Sequence, residues 1–186
     1  MRRSVIVLFL FLLAGTSARA QVTETATARQ LTISVGGFGS GFNPNNNSHP
    51  VYGPGTNHLG GLGTYVDIHF THWIQLEGEA RWLRFFEYDG EHQDHYLIGP
   101  RVPIYRFGRA QAYGKAMIGL GKMTFPHGYG YGTFTALAFG GGIDYRLSRK
   151  LTLRAVDFEF QDWPNFLPDT TLRPYGISVG MAYRVF

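Results

Sequence analysis

The chain contains no cysteine, which excludes a disulfide framework and any thiolate metal site. It also lacks the apolar run that a membrane-spanning helix needs: its one extended stretch, Val5 to Ala14, falls well short of about 20 residues. No long segment keeps apolar residues at helical spacing. Excess charge is missing too, once the N-terminus is accounted for. Arg2 and Arg3 precede the apolar run, and Ala18-Arg19-Ala20 behind it has the small-x-small form that a signal peptidase accepts. Residues 1–20 are therefore expected to be a signal peptide cleaved after Ala20. Removing Arg2, Arg3 and Arg19 from the 17 basic residues leaves 14 against 13 acidic ones, so all but one unit of the formal charge of +4 belongs to the leader, and the charge implies no nucleic-acid partner. An exported chain without disulfides must be held by its core, by a bilayer or by backbone pairing.

Residues 21–30 form a polar lead. Beyond them the chain is rich in glycine (25 residues) and in aromatics (16%), and its apolar residues alternate with period two. From Trp73 to Phe86, Ile74, Leu76, Gly78, Ala80 and Trp82 share one face, while Gln75, Glu77, Glu79 and Arg81 share the other. Tyr175, Ile177, Val179, Met181, Tyr183 and Val185 likewise oppose Gly176, Ser178, Gly180, Ala182 and Arg184. Tyr96 to Ile104 sets apolar residues against Arg101, and Leu137 to Tyr145 sets them against Ala136, Ala138, Asp144 and Arg146. Weaker segments at Leu31–Phe42, His58–Thr71, Ala110–Phe125 and Lys150–Trp163 bring the number to about eight, the even number expected of a bacterial single-chain barrel.

The connections sort by length. Short turns fall near Thr71-His72, Phe107-Gly108-Arg109 and Ser148-Arg149; long polar or Gly/Pro-rich loops fall at Asn43–Asn57, Glu87–Asp94, Pro126–Gly132 and Asp162–Thr171. With alternating strands, all long loops then lie on one side and all short turns on the other. A bilayer interior offers no hydrogen-bond partners, so an amphipathic sheet must close on itself to cross it. These features predict an all-β fold, an eight-stranded antiparallel up-and-down transmembrane β-barrel over residues 31–186. Aromatics are expected at the two interfaces: Trp73, Tyr105, Phe107, Tyr145, Tyr183 and Phe186 at the turn side, and Trp82, Phe86, Tyr88, Phe160 and Trp163 at the loop side. In Lys150–Trp163 each parity mixes charge with apolar residues, and a β-bulge between Arg154 and Asp157 would put both charges inside. In Ala110–Phe125 the lipid face is made largely of small residues.

Glu77 and Glu79 share a face at about 7 Å, a separation that acid–base glycosidase pairs also use. The favoured reading is an interior charge network of Glu77, Glu79, Arg81, Arg101, Lys115, Asp144, Arg146 and Arg154 that fills a narrow lumen. Asp89-Gly90-Glu91-His92-Gln93-Asp94-His95 concentrates groups that ligate transition metals, but two histidines three apart make no complete shell, so a solvated loop is favoured and no metal or other cofactor is expected. Gly36–Gly41 and Gly140–Gly142 precede no credible helix and are not phosphate loops.

The chain resembles the OmpA/OmpX-type outer-membrane β-barrel domain family over Leu31 to Phe186. The alternating strands, the loop sorting and the ending Gly180-Met181-Ala182-Tyr183-Arg184-Val185-Phe186 carry the resemblance. It implies an outer-membrane location, outer-membrane lipid as surroundings, and handling during biogenesis by the barrel-assembly machinery, with Tyr183 and Phe186 as the assembly signal. The usual aromatic two places before the terminal one is here Arg184. The resemblance covers the barrel alone, without the peptidoglycan-binding domain of full-length OmpA proteins. Lipid A deacylase barrels carry a His-x-Ser strand motif; this chain has only Ser48-His49, adjacent in a loop, so catalysis is not expected. The expected function is that of a non-catalytic envelope scaffold whose outer loops, including Asn43–Asn47 and the Tyr/Gly loop Pro126–Gly132, are the surface for any ligand. A small channel or transporter is the alternative, and a lipid-modifying enzyme ranks behind it.

Overall fold

A computed structural model describes residues 31–45, 58–71, 73–87, 90–128, 130–167 and 170–186. The signal peptide, the polar lead, Ser48-His49 and Tyr88 lie outside the described residues. The strands are β1 (Thr32–Asn43), β2 (Leu59–His69), β3 (Gln75–Phe85), β4 (His92–Phe107), β5 (Ala110–Thr124), β6 (Tyr131–Arg146), β7 (Leu151–Leu167), β8 (Thr170–Leu172) and β9 (Tyr175–Arg184), with a short 3-10 turn at Pro126–Gly128. β1 to β7 pair antiparallel in sequence order, β7 pairs with β9, and β9 pairs with β1. The sheet therefore closes as an eight-stranded barrel with no free edge, and β8 adds a short flap against the outer part of β7.

Closure follows from parity. Inward positions of β3 (Gln75, Glu77, Glu79, Arg81, Leu83) are buried, and their neighbours are not. The outward residues are apolar yet exposed: Ile98 at 52%, Ile118 at 54%, Ile177 at 51% and Val179 at 52%. In water such a belt would be an aggregation surface; in hydrocarbon it is the solvated face. The expected bulge is present: the β7–β9 register shifts between Arg154 and Asp157, and both residues are buried. The extra residue resets parity, so Arg154 on one side and Asp157 and Glu159 on the other all point inward.

Three details differ from the sequence reading. Asp162–Thr171 is not an irregular loop: β7 runs on to Leu167 and returns as β8. Its prolines disguised it, but Pro164 lies beyond the last β6–β7 pair, Leu137 with Asp162, where that edge of β7 needs no donor. β4 starts at His92 and β6 at Tyr131, so parts of two other loops are also strand. Trp163 sits inside the barrel with no exposed surface, not in the interfacial belt. It fits because Gly121 faces it across the lumen: a Cβ at Gly121 would come within 2.3 Å of the Trp163 ring.

Candidate functional site in the barrel interior

The inward positions build a stack of layers along the lumen. Nearest the turn end, Arg101 Nη1 donates to Asp67 Oδ2 at 2.9 Å and its other nitrogen pairs with Asp144. The next layer holds Arg154, whose Nη2 lies 2.6 Å from Glu77 Oε2 and whose Nη1 reaches Asp157 at 3.4 Å. Tyr rings back both guanidiniums, with Arg154 3.7 Å above Tyr65 and Arg101 3.6 Å above Tyr113. At mid-barrel the Lys115 ammonium lies 2.8 Å from Asp157, 2.8 Å from Glu159, 3.1 Å from Glu79 and 3.5 Å from Glu77. Above it, Arg81 pairs with Glu79 and, at 2.8 Å, with Glu159, and stacks 4.2 Å over Phe42.

Higher still the interior turns from ionic to neutral. Gln161 donates to His95 Nδ1 at 2.9 Å and to Glu159 at 2.7 Å, and Trp163 Nε1 donates to Gln161 at 2.7 Å. The His95 ring lies edge-on between Phe42 and Trp163. An apolar cap of Leu97, Met117, Met123, Trp163, Phe166 and Leu172 closes the loop end, with Phe134 packed against it. Side chains thus occupy the lumen from the Arg101 layer to this cap.

Glu77, Glu79, Arg81, Arg101, Lys115, Asp144 and Arg154 meet in one cluster, all but Asp144 almost fully buried. Arg146 does not join it: it shares Asp144's parity but sits two residues nearer the mouth, exposed and past the last acidic layer. The cluster also contains Asp67 and Glu159, which the sequence reading left out of the network, and Asp157, which it had placed inward only through the bulge. Asp67 had a usable signal, since a carboxylate in a spanning strand belongs on the lumen side. His95, Gln93 and Gln161 carried no such signal, as polar neutral residues sit on either face near an interface. Tyr183 and Phe186 are exposed on the outside of the turn end, and the chain end is tied to β1 by an Ile33 N–H bond to the Phe186 carbonyl at 3.1 Å.

The described residues of the acidic-histidine loop divide between two faces: Glu91, Gln93 and His95 are buried, whereas His92 and Asp94 are not. Asp89 lies outside the described residues. Asp94 pairs outward with Arg84 at 2.6 Å, while His95 points into the lumen. His92 Nε2 meets Thr124 Oγ1 at 2.9 Å across β4 and β5, and its Nδ1 lies 3.0 Å from the Gly90 carbonyl. Among the described residues one group, Glu77, Glu79 and Asp157, brings three carboxylates together within 4.8 Å. Lys115 already supplies its positive charge. Gly36–Gly41 lies within β1 and Gly140–Gly142 within β6, so neither opens a helix.

A closed, side-chain-filled barrel with an apolar outer belt defines a small membrane-spanning β-barrel protein. The family model of the outer membrane protein beta-barrel domain matches residues 7–184, and the chain belongs to that family. Its membership brings an outer-membrane location with it, in agreement with the OmpA/OmpX-type resemblance. Among solved structures the chain is similar to the N-terminal β-barrel domain of OprF from Pseudomonas aeruginosa, at 13% identity and TM-score 0.55, over 83% of this chain and 100% of that one. It is also similar to the neisserial surface protein NspA, at 11% identity and TM-score 0.54, over 82% of this chain and 96% of that one. At these identities the likeness is one of fold. No curated protein matches the chain.

Proposed function

We propose that the protein is a non-catalytic integral outer-membrane barrel, exported by cleavage after Ala20, that serves as an envelope scaffold and offers its loop end as a contact surface. The filled lumen carries this reading. Ten charged groups interlock from Asp144 to Glu159, and an apolar cap closes the end above them. A water-filled path would have to break several of these buried pairs at once, each at a cost of about 3–5 kcal/mol.

The Tyr/Gly loop favours contact at the loop end: Tyr131 is 86% exposed beyond the lipid belt, where an aromatic face supplies contact area at low entropic cost. Tyr183 and Phe186, exposed at the other end, suit recognition by the assembly machinery. Planar-bilayer recording with the purified barrel tests the scaffold reading. Silent bilayers agree with it; stable single-channel steps refute it in favour of a channel. Mass spectra of lipid A with and without expression test catalysis separately, a shifted mass being the result against the proposal.

A further inference from the structure

Four arginines that take no part in the interior network gather at one place. Arg106, Arg109, Arg146 and Arg184 line the mouth of the lumen at the turn end, around a cavity whose floor is the Arg101 layer. The cavity has about 70 Å³ of space for solvent centres, enough for several waters, since one needs about 10–15 Å³. Two carboxylates, Asp67 and Asp144, also line it, and both are already paired with Arg101. No acidic side chain among the described residues pairs with the four rim arginines. Arg106 donates to Gln111 at 3.1 Å, and among the described residues no side-chain partner is seen for the other three.

A second depression continues this surface sideways over the β6–β7 turn. It is lined by Arg109, Arg146, Leu147, Ser148, Arg149 and Arg184. The opposite end of the barrel has no comparable feature among the described residues: there Arg84 and Arg173 are paired with Asp94 and Asp162, and Lys122 lies over Tyr96. Four guanidiniums with no acidic partner among the described residues thus share one cleft. Low-dielectric barrel walls focus their field on the mouth. The planar fork of each guanidinium matches the oxygens of a phosphate group.

We propose that the turn-end mouth is a binding site for a phosphate-type oxyanion, held by Arg106, Arg109, Arg146 and Arg184. Its source is either a soluble phosphate compound or the headgroup of an anionic phospholipid reaching in across Leu147. The test uses the full barrel and two probes. Pyrophosphate is titrated calorimetrically into the protein in neutral detergent at low salt. Retention of phosphatidylglycerol against phosphatidylcholine is measured by native mass spectrometry of the barrel released from mixed-lipid nanodiscs.

Saturable pyrophosphate binding that weakens about tenfold or more in Arg146→Gln/Arg184→Gln supports the site with a soluble source, because charge-assisted forks are what the variant removes. Selective phosphatidylglycerol retention that the same variant abolishes, without pyrophosphate binding, supports the site with a lipid source. Lys122→Gln at the loop end should alter neither result. Should the double variant not reach the heat-resistant folded form, Arg106→Gln/Arg109→Gln replaces it. Binding of neither probe, or binding unchanged by either pair of substitutions, overturns the proposal.

Discussion

Replacing Lys115 with alanine is the sharpest perturbation of the interior. Its ammonium lies 2.8 Å from both Asp157 and Glu159, so each pair is worth about 6 kcal/mol of gross attraction at an effective dielectric of about 20. Desolvation of the ammonium offsets much of that. The carboxylates keep other partners, since Glu79 and Glu159 still face Arg81 while Glu77 and Asp157 still face Arg154. The net loss should therefore fall near the value for breaking one buried pair, about 3–5 kcal/mol, and not near the sum of four. Urea unfolding of the barrel from lipid vesicles, followed by tryptophan fluorescence, measures it. Adding Glu79→Gln to Lys115→Ala should recover part of the loss, because it removes one of the charges left uncompensated. The vacated cage also brings oxygens of Glu77, Glu79 and Asp157 within 4.8 Å of one another, a spacing compatible with a hard cation whose oxygen ligands lie at about 2.3–2.6 Å. Calcium should thus stabilise Lys115→Ala and leave the unsubstituted protein unchanged. A loss below about 1 kcal/mol, with no recovery from Glu79→Gln, would refute the view that Lys115 is the keystone of the network.

Three further tests probe other parts of the barrel. Ile98→Arg, facing Ile118 on the outer belt, should cost about 2–4 kcal/mol in vesicle unfolding, and Tyr131→Arg beyond the belt about 0–1; equal costs would mean that the belt does not sit in hydrocarbon. Gly121→Val should lower stability by about 1–3 kcal/mol and shift tryptophan emission, because the added side chain takes the space of the Trp163 ring; an unaltered urea midpoint would show that Trp163 has room to move. Deleting Ala155 removes the bulge and should leave the chain unable to reach the heat-resistant form on gels, whereas Ala155→Ser should fold normally; a deletion variant that folds would show the bulge to be dispensable.

The strands most legible in the sequence are those whose two faces differ in kind. Glu77, Glu79 and Arg81 cannot face lipid, so β3 has one possible orientation, and the mixed parity of β7 is itself the signal of its bulge once Arg154 and Asp157 are both required to point inward. Trp163 was not legible for the converse reason. In a soluble protein a buried tryptophan is the default, but a barrel offers apolar surroundings both outside in lipid and inside in the cap, and hydrophobicity alone does not choose between them. What chooses here is Gly121, 42 positions earlier in the chain, and nothing local to Trp163 reports it.

Depth along a strand is less legible than face. Arg146 and Asp144 share a parity and a strand, yet one joins the ion-pair network and the other stands at the mouth. The difference arises because the network ends where the supply of carboxylates ends: Asp144 and Asp67 are the last acids before the turns, and both are taken by Arg101 and Arg154. The arginines beyond that layer have no acidic partner among the described residues. The interior charges are thus arranged to satisfy one another and close the lumen, while the rim charges have no such purpose within the barrel. A chain that pairs its interior cations this completely has carboxylates elsewhere, at Asp94 and Asp162, already committed to Arg84 and Arg173. Among the described residues the arginines without an acidic partner therefore lie at the turn end, and a ligand that supplies negative charge there accounts for them.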